Sequence, residues 1–259
     1  MFENRYPIFK KGSILEKKEL DLLRDNPVEI MELMYLETKD GIIKGFDLET
    51  DEVEKVVVVK KGILKYKGKI YWLKEDYSFF MPDEEDKYIL KLKLFSEIED
   101  RKFYIRRGEF RLERGYEIDE DEIEIARFIT RTGADLRNDY NSFSDLRRDF
   151  NLLEIINQKY SSKNERGTLH PKILEMWALE ASTKENLDIF DVNFYTNCLQ
   201  GKLERETIIA YINTKFISKK MDYSNDELYE SLLKILENLG KERAKQEKKR
   251  IIPKKISIE

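Results

Sequence analysis

One change of rhythm constrains this chain more than any motif in it. From Asp40 to Phe128 the apolar residues fall in short runs between turn residues, the period-two signature of strands. From Phe143 onward they recur every three to four residues, as in amphipathic helices. No helical stretch separates the strands, which excludes a doubly wound nucleotide-binding sheet. The pattern predicts an α+β protein: an N-terminal antiparallel β-sandwich or barrel-like domain, then a C-terminal α-helical bundle.

Each strand has its own signal. Ile42-Ile43 and residues 46–48 read as one strand, and Val56–Val59, four valines in a row, as a second covered on both faces. Gly62–Tyr66 is a third, and Lys67-Gly68 turns the chain back into Lys69–Leu73. Tyr77–Phe80 and residues 88–95 follow. In the latter Leu90, Leu92 and Leu94 alternate with Lys91 and Lys93, which predicts one wet face. Residues 103–105 and 110–112 read as two strands parted by Gly108, and Ile123, Ile125 and Phe128 close the sheet. Ahead of all these, residues 17–24 read as a short helix with Leu20, Leu22 and Leu23. Asn26-Pro27 then restarts the chain as a cap and first turn for a second helix carrying Ile30, Met31, Leu33, Met34 and Leu36.

In the second half, Leu146, Phe150, Leu153, Ile156 and Tyr160 predict a first helical stripe. Pro171 opens a helix bearing Ile173, Leu174, Trp177, Ala178 and Ala181. Ser182 and Glu185 have capping-box spacing for the next, and Ser224 and Glu227 for the last. Between them residues 204–216 present Ile208, Ile209, Ile212 and Phe216, and the last helix presents Leu228, Leu232, Ile235, Leu236 and Leu239 before Gly240. The expected division is a β-rich domain with short N-terminal helices at 1–118, a connection at 119–142, a helical domain at 143–240 and a basic tail at 241–259.

At 259 residues and 41% hydrophobic, the chain is long enough to bury a core without metal or disulfide help. Its 12% aromatic content excludes disorder along the whole length. No run approaches the ~18 apolar residues of a membrane span, and Lys10, Lys11 and Gly12 interrupt any secretory signal, so a cytoplasmic protein is expected. The net charge of −4 makes nucleic acid an unlikely partner. Residues 241–259, with eight Lys or Arg against three Glu, are the exception, and read most simply as a solvated terminus.

Catalytic chemistry is poorly represented. His170 is the one histidine and precedes Pro171, which points to packing or capping at a helix start. Cys198 is the one cysteine, so neither an intrachain disulfide nor a thiolate zinc site can form. No P-loop, G-x-G-x-x-G or nucleophile elbow is present, and the acidic clusters at 83–86 and 119–122 lack the ligand spacing of a calcium loop. The best enzymatic alternative is Asp83 with Asp100 and Lys102, the residue types of a metal-dependent nuclease. In a chain that is 39% charged such triplets arise by chance, and two charged loops are the preferred reading. No catalytic residue, cofactor or metal is expected.

The N-terminal third has a recognisable cadence. Pro7-Ile8-Phe9-Lys10-Lys11-Gly12-Ser13-Ile14-Leu15 leads into Leu20-Asp21-Leu22-Leu23-Arg24-Asp25-Asn26-Pro27, then Asp40-Gly41-Ile42-Ile43-Lys44-Gly45-Phe46. Val56 to Val59, Lys60-Lys61-Gly62-Ile63-Leu64-Lys65-Tyr66 and Lys67-Gly68-Lys69-Ile70-Tyr71 follow. This run resembles the attachment domain of phage tail and baseplate proteins. It is also similar to the N-terminal shoulder domain of the type VI secretion baseplate K-type subunit. The resemblance covers residues 5–95 and implies a β-sandwich that docks onto a particle. It implies a structural component of a phage-like tail baseplate or contractile injection system, partnered by other baseplate or tail subunits and by copies of itself. The rival function is a nucleic-acid-binding or nuclease-like protein. The candidate interface residues are the apolar Phe2, Tyr6, Ile8 and Phe9 near the terminus, and one of Tyr71 and Trp72, which as strand neighbours face opposite sides.

Overall fold

The computed structural model describes residues 4–51, 53–147 and 150–240. Its elements are α1 (Lys17–Met34), β1 (Gly41–Gly45), β2 (Leu48–Asp51), β3 (Val56–Val59), β4 (Gly62–Tyr66), β5 (Lys69–Leu73), β6 (Tyr77–Phe80), β7 (Lys87–Glu99), β8 (Tyr104–Arg114), β9 (Glu122–Ile129), α2 (Pro171–Ser182), α3 (Ile189–Cys198), α4 (Arg205–Phe216) and α5 (Asn225–Asn238). Sheets come first and helices after, as the change of rhythm predicts. The nine strands pair with one another antiparallel, in three three-stranded sheets ordered β1-β4-β5, β2-β3-β6 and β8-β7-β9, and none closes into a barrel.

Residues 41–48 are two strands in two sheets, not one. Gly45 and Phe46 both take positive φ, and this kink hands the chain from β1 to β2. Gly45 tolerates it because it has no Cβ, and an added one would stand 2.3 Å from the Lys61 carbonyl oxygen. In β3 the valines alternate: Val57 and Val59 are buried, while Val56 and Val58 are half-covered. Residues 104–114 form one strand running straight through Gly108, which is there for closeness rather than turning. An added Cβ would meet Leu92 Cδ1 of β7 at 2.9 Å. Lys91 departs from the expected wet face: it is buried, with its ammonium 2.8 Å from both Glu113 and Glu122, so burial is compensated by charge.

At the N-terminus the two expected helices are one, with Pro27 inside α1. Asn26 does not cap a restart; its Nδ2 donates to the Arg5 carbonyl at 3.0 Å. The predicted helix through Leu146, Phe150 and Leu153 is reduced to a 3₁₀ turn at Phe143–Leu146. Beyond it the backbone bonds outward to sheets instead of to itself. Arg127 and Glu154 exchange N–H···O bonds at 3.1 and 2.8 Å, and Ile42 exchanges bonds with Lys159 and Ser161 at 2.9 and 2.7 Å. Leu153, Ile156 and Tyr160 are buried by this route, while Phe150 stays exposed.

The cap of α3 is Asp188, whose carboxylate accepts from the amides of Phe190 and Asp191, and not Ser182, which ends α2. The Ser224–Glu227 capping box on α5 is present as read, with bonds of 2.8 and 3.1 Å. On α4 Ile208, Ile209 and Ile212 are buried but Phe216 is exposed.

One core runs through both halves, from Ile42 and Val57 to Leu232 and Leu236. Trp177 on α2 sits at its helical end, edge-on to Phe194 and Tyr211, with its indole N–H donating to the Leu232 carbonyl at 3.0 Å. Arg205 is only 1% exposed, and its guanidinium donates to the carbonyls of Gly167 and Tyr223 and to Asn225 Oδ1. A charged seam joins sheet to helices: Glu124 and Arg127 of β9 pair at 2.6 Å, while Arg147 pairs with Asp226 and Glu230 of α5.

Candidate docking surface

The expected interface residues separate into three groups. Phe2 lies outside the described residues, as does the basic tail at 241–259. Tyr6, Ile8 and Phe9 all face solvent, Ile8 at 74% exposure. On β5 the alternation decides between neighbours. Tyr71 is buried, its hydroxyl donating to the Phe95 carbonyl at 2.7 Å and its ring edge-on to Tyr66. Burial also pushes the Tyr71 phenol above its ordinary pKa. Trp72 points outward, 49% exposed, with the Lys74 ammonium 5.8 Å from its ring.

A larger apolar surface escaped the sequence reading. No residue of α1 is buried, and Leu20, Leu23, Ile30, Leu33 and Met34 are all exposed. The helix is held to the body by polar ties. Glu32 pairs with Lys69 at 3.2 Å and Arg106 at 2.9 Å, and the buried Lys65 ammonium donates to the Tyr35 and Thr38 carbonyls just beyond the C-terminal turn. The tip of the β7–β8 hairpin adds Ile98, Phe103 and Tyr104, also exposed. The missed signal was the spacing of Leu20, Leu23, Pro27, Ile30 and Met34, hidden by the supposed break at Asn26-Pro27.

The residues that carry chemistry do not converge. Asp83 precedes β7 and Asp100 follows it, so 13 residues of extended strand separate them, roughly 40 Å. Asp100 instead accepts from the Arg101 amide at 2.6 Å within the hairpin turn. Among the described residues no group of three or more His, Cys, Asp or Glu is placed to hold a metal.

His170 caps α2, its Nδ1 accepting from the Lys172 amide at 3.0 Å and its Nε2 lying 3.3 Å from the Tyr160 hydroxyl. Desolvation, reinforced by Lys172, pushes its pKa down to about 3, which keeps it neutral. Burial pushes the Cys198 thiol up to about 12, far from a reactive thiolate. A cavity of about 30 Å³ beside His170 has room for a water molecule and no more. The open recess near Lys159 is lined by Lys39, Lys65 and Lys159 against Glu37, Asp40 and Glu165, a mixed set with no single sign.

No helix among the described residues is long and apolar enough to cross a membrane. No protein-family model and no curated protein matches the chain. Among solved structures it is similar to a crystal structure of TssK, at 9% identity and a TM-score of 0.36, covering 90% of this chain and 67% of that one. It is likewise similar to a chain of the type VI secretion TssK–TssF–TssG baseplate subcomplex seen by cryo-electron microscopy. There the identity is 9% and the TM-score 0.42, covering 91% of this chain and all of that one. The likeness to TssK is one of outline, and no residue role passes across it.

Proposed function

We propose that this chain is a structural assembly component of a phage-like tail baseplate or contractile injection system. It works by protein–protein docking and carries out no turnover. The observation that carries the reading is the solvent-facing set Tyr6, Ile8, Phe9 and Trp72. It lies within the very segment, residues 5–95, whose cadence resembles particle-attachment domains. Large apolar side chains held out of a well-filled core are the anchors that an interface uses. In this reading residues 1–118 form the docking domain and 143–240 the helical domain, and the connection at 119–142 also lends β9 to the docking domain's third sheet. Its partners are other baseplate or tail subunits and further copies of the chain, met in the cytoplasm of the producing cell before the particle forms. The separation of Asp83 from Asp100 supports docking over a nuclease reading.

The test is co-expression of the tagged chain with the proteins encoded beside its gene. Tail or baseplate subunits should co-purify, and a Tyr6→Ala, Ile8→Ala, Phe9→Ala, Trp72→Ala variant should lose them while unfolding at the parent temperature. Failure to capture any such subunit would overturn the proposal. So would salt-sensitive binding of DNA or RNA that vanishes when residues 241–259 are removed.

A further inference from the structure

Four stretches of chain meet around the cavity beside His170. The β1–β2 junction supplies Phe46, the loop after β9 supplies Asn138 and Tyr140, the stretch before α2 supplies Gln158, and the start of α2 supplies His170 and Lys172. The place is strained as well as crowded. Phe46 is buried at a φ of 62°, a region that a bulky residue enters only where its surroundings hold it. Gln158 is part of that hold, since its Nε2 donates to the Phe46 carbonyl at 3.3 Å.

The same bond fixes which way round the Gln158 amide lies. A carbonyl can only accept, so the amide nitrogen faces Phe46 and the amide oxygen is turned away from it. Gln158 is 1% exposed, and its Oε1 has no hydrogen-bond partner in the protein. Among the described residues it is the one buried side-chain oxygen with neither a hydrogen bond nor an ion pair. Glu32 Oε1, the other without a hydrogen bond, stands 2.9 Å from Arg106. An unmade bond at a buried amide oxygen is costly, and buried polar atoms without a protein partner are met by water.

The donors around the cavity are spent elsewhere. His170 Nδ1 accepts from the Lys172 amide, so its hydrogen sits on Nε2, 3.3 Å from the Tyr160 hydroxyl, and that hydroxyl donates to the Gly45 carbonyl at 3.1 Å. The Tyr140 hydroxyl donates to the Leu153 carbonyl at 2.6 Å, and Asn138 Nδ2 donates to the Leu48 carbonyl. Two groups of the lining keep capacity. The Tyr140 oxygen can still accept, and the Lys172 ammonium, which reaches the Asn138 carbonyl at only 3.5 Å, can still donate. With Gln158 Oε1 they make up the about two to four polar partners that a buried water requires. The cavity volume of about 30 Å³ selects the ligand by size.

We propose that one water molecule is built into this joint, donating to Gln158 Oε1 between the Phe46 kink of the sheets and the start of α2. The site takes a neutral, water-sized hydrogen-bond donor and nothing larger. It stands apart from the baseplate reading, because none of its residues belongs to the docking set Tyr6, Ile8, Phe9 and Trp72.

Two measurements on the full chain test it. In a high-resolution crystal structure, solvent density should stand about 2.8 Å from Gln158 Oε1. In solution, oxygen-17 magnetic relaxation dispersion counts long-lived waters. Gln158→Met keeps the length of the side chain and removes the acceptor, and it should hold one long-lived water fewer than the parent. A cavity without density beside an Oε1 that is still unpaired overturns the proposal. So does an amide turned onto a protein donor, or a folded Gln158→Met chain that keeps every long-lived water. Should Gln158→Met fail to fold, the density in the parent crystal decides alone.

Discussion

Helices α1 and α5 have similar amphipathic sequences and opposite fates. Ser224 caps α5, which buries Leu228, Tyr229, Leu232, Ile235 and Leu236. The Tyr229 hydroxyl donates to the Phe143 carbonyl at 3.0 Å. Helix α1 buries none of its residues and is held by ion pairs and by Lys65. The difference separates two uses of one pattern. An apolar stripe lowers the free energy of the chain that folds it under, whereas a stripe left in water stabilises only whatever comes to cover it. Stability of the folded chain should therefore depend steeply on the second half and hardly at all on α1.

The sharpest way to break that contrast is Trp177→Ala. It empties the space against Phe194 and Tyr211 and should cost about 3–5 kcal/mol in urea unfolding. Arg205→Ala should cost about 3 kcal/mol in the same assay, since it strands the Gly167 and Tyr223 carbonyls in the interior.

The joint between sheet and helices should respond to pH. Burial, with Asp226 and Glu124 adding to it against Arg147 and Arg127, raises the Glu154 carboxyl from its usual 4.5 to about 7. Between these values the folded chain holds a proton that the unfolded chain has released. This group's contribution is therefore greatest below pH 4.5 and declines as pH rises toward 7. Glu154→Gln should match the parent near pH 4.5 and exceed it by about 3 kcal/mol above pH 7, by urea unfolding at both pH values.

Tyr71→Phe should cost about 1 kcal/mol in urea unfolding, for the lost bond to Phe95. The smallest effects belong to Ile30→Ala and Trp72→Ala, each within about 0.5 kcal/mol at concentrations where the chain is monomeric. A loss at Ile30 as large as that at Trp177 would erase the distinction between the two helices.

Much of this was legible in the residues. The order of sheets before helices, the Lys67-Gly68 hairpin, the Ser224–Glu227 box and the outward turn of Trp72 or Tyr71 all follow from local chemistry. Misreadings arose where a tertiary partner overrode a local preference. Lys91 alternates like a solvent-facing residue, and the positions of Glu113 on β8 and Glu122 on β9 let it be buried. Leu146, Leu153 and Ile156 keep helical spacing, yet the backbone of this stretch bonds outward, Asn151 and Glu154 to β9 and Lys159 and Ser161 to β1. Asn26-Pro27 reads locally as a break, although the helix needs to forgo only one backbone bond to continue through it. That misreading hid the seam on α1, because its spacing is visible only when residues 20–34 are taken as one helix.

The central claim is that α1 is folded for a partner and α5 for its own chain. Hydrogen exchange read by mass spectrometry on the isolated chain, and again with its co-purified subunits bound, tests it directly. The amides of α5 should be equally protected in both, whereas those of α1 should exchange fast in the isolated chain and slow markedly in the complex. Protection of α1 equal to that of α5 in the isolated chain, or fast exchange of α1 in the complex, would contradict it.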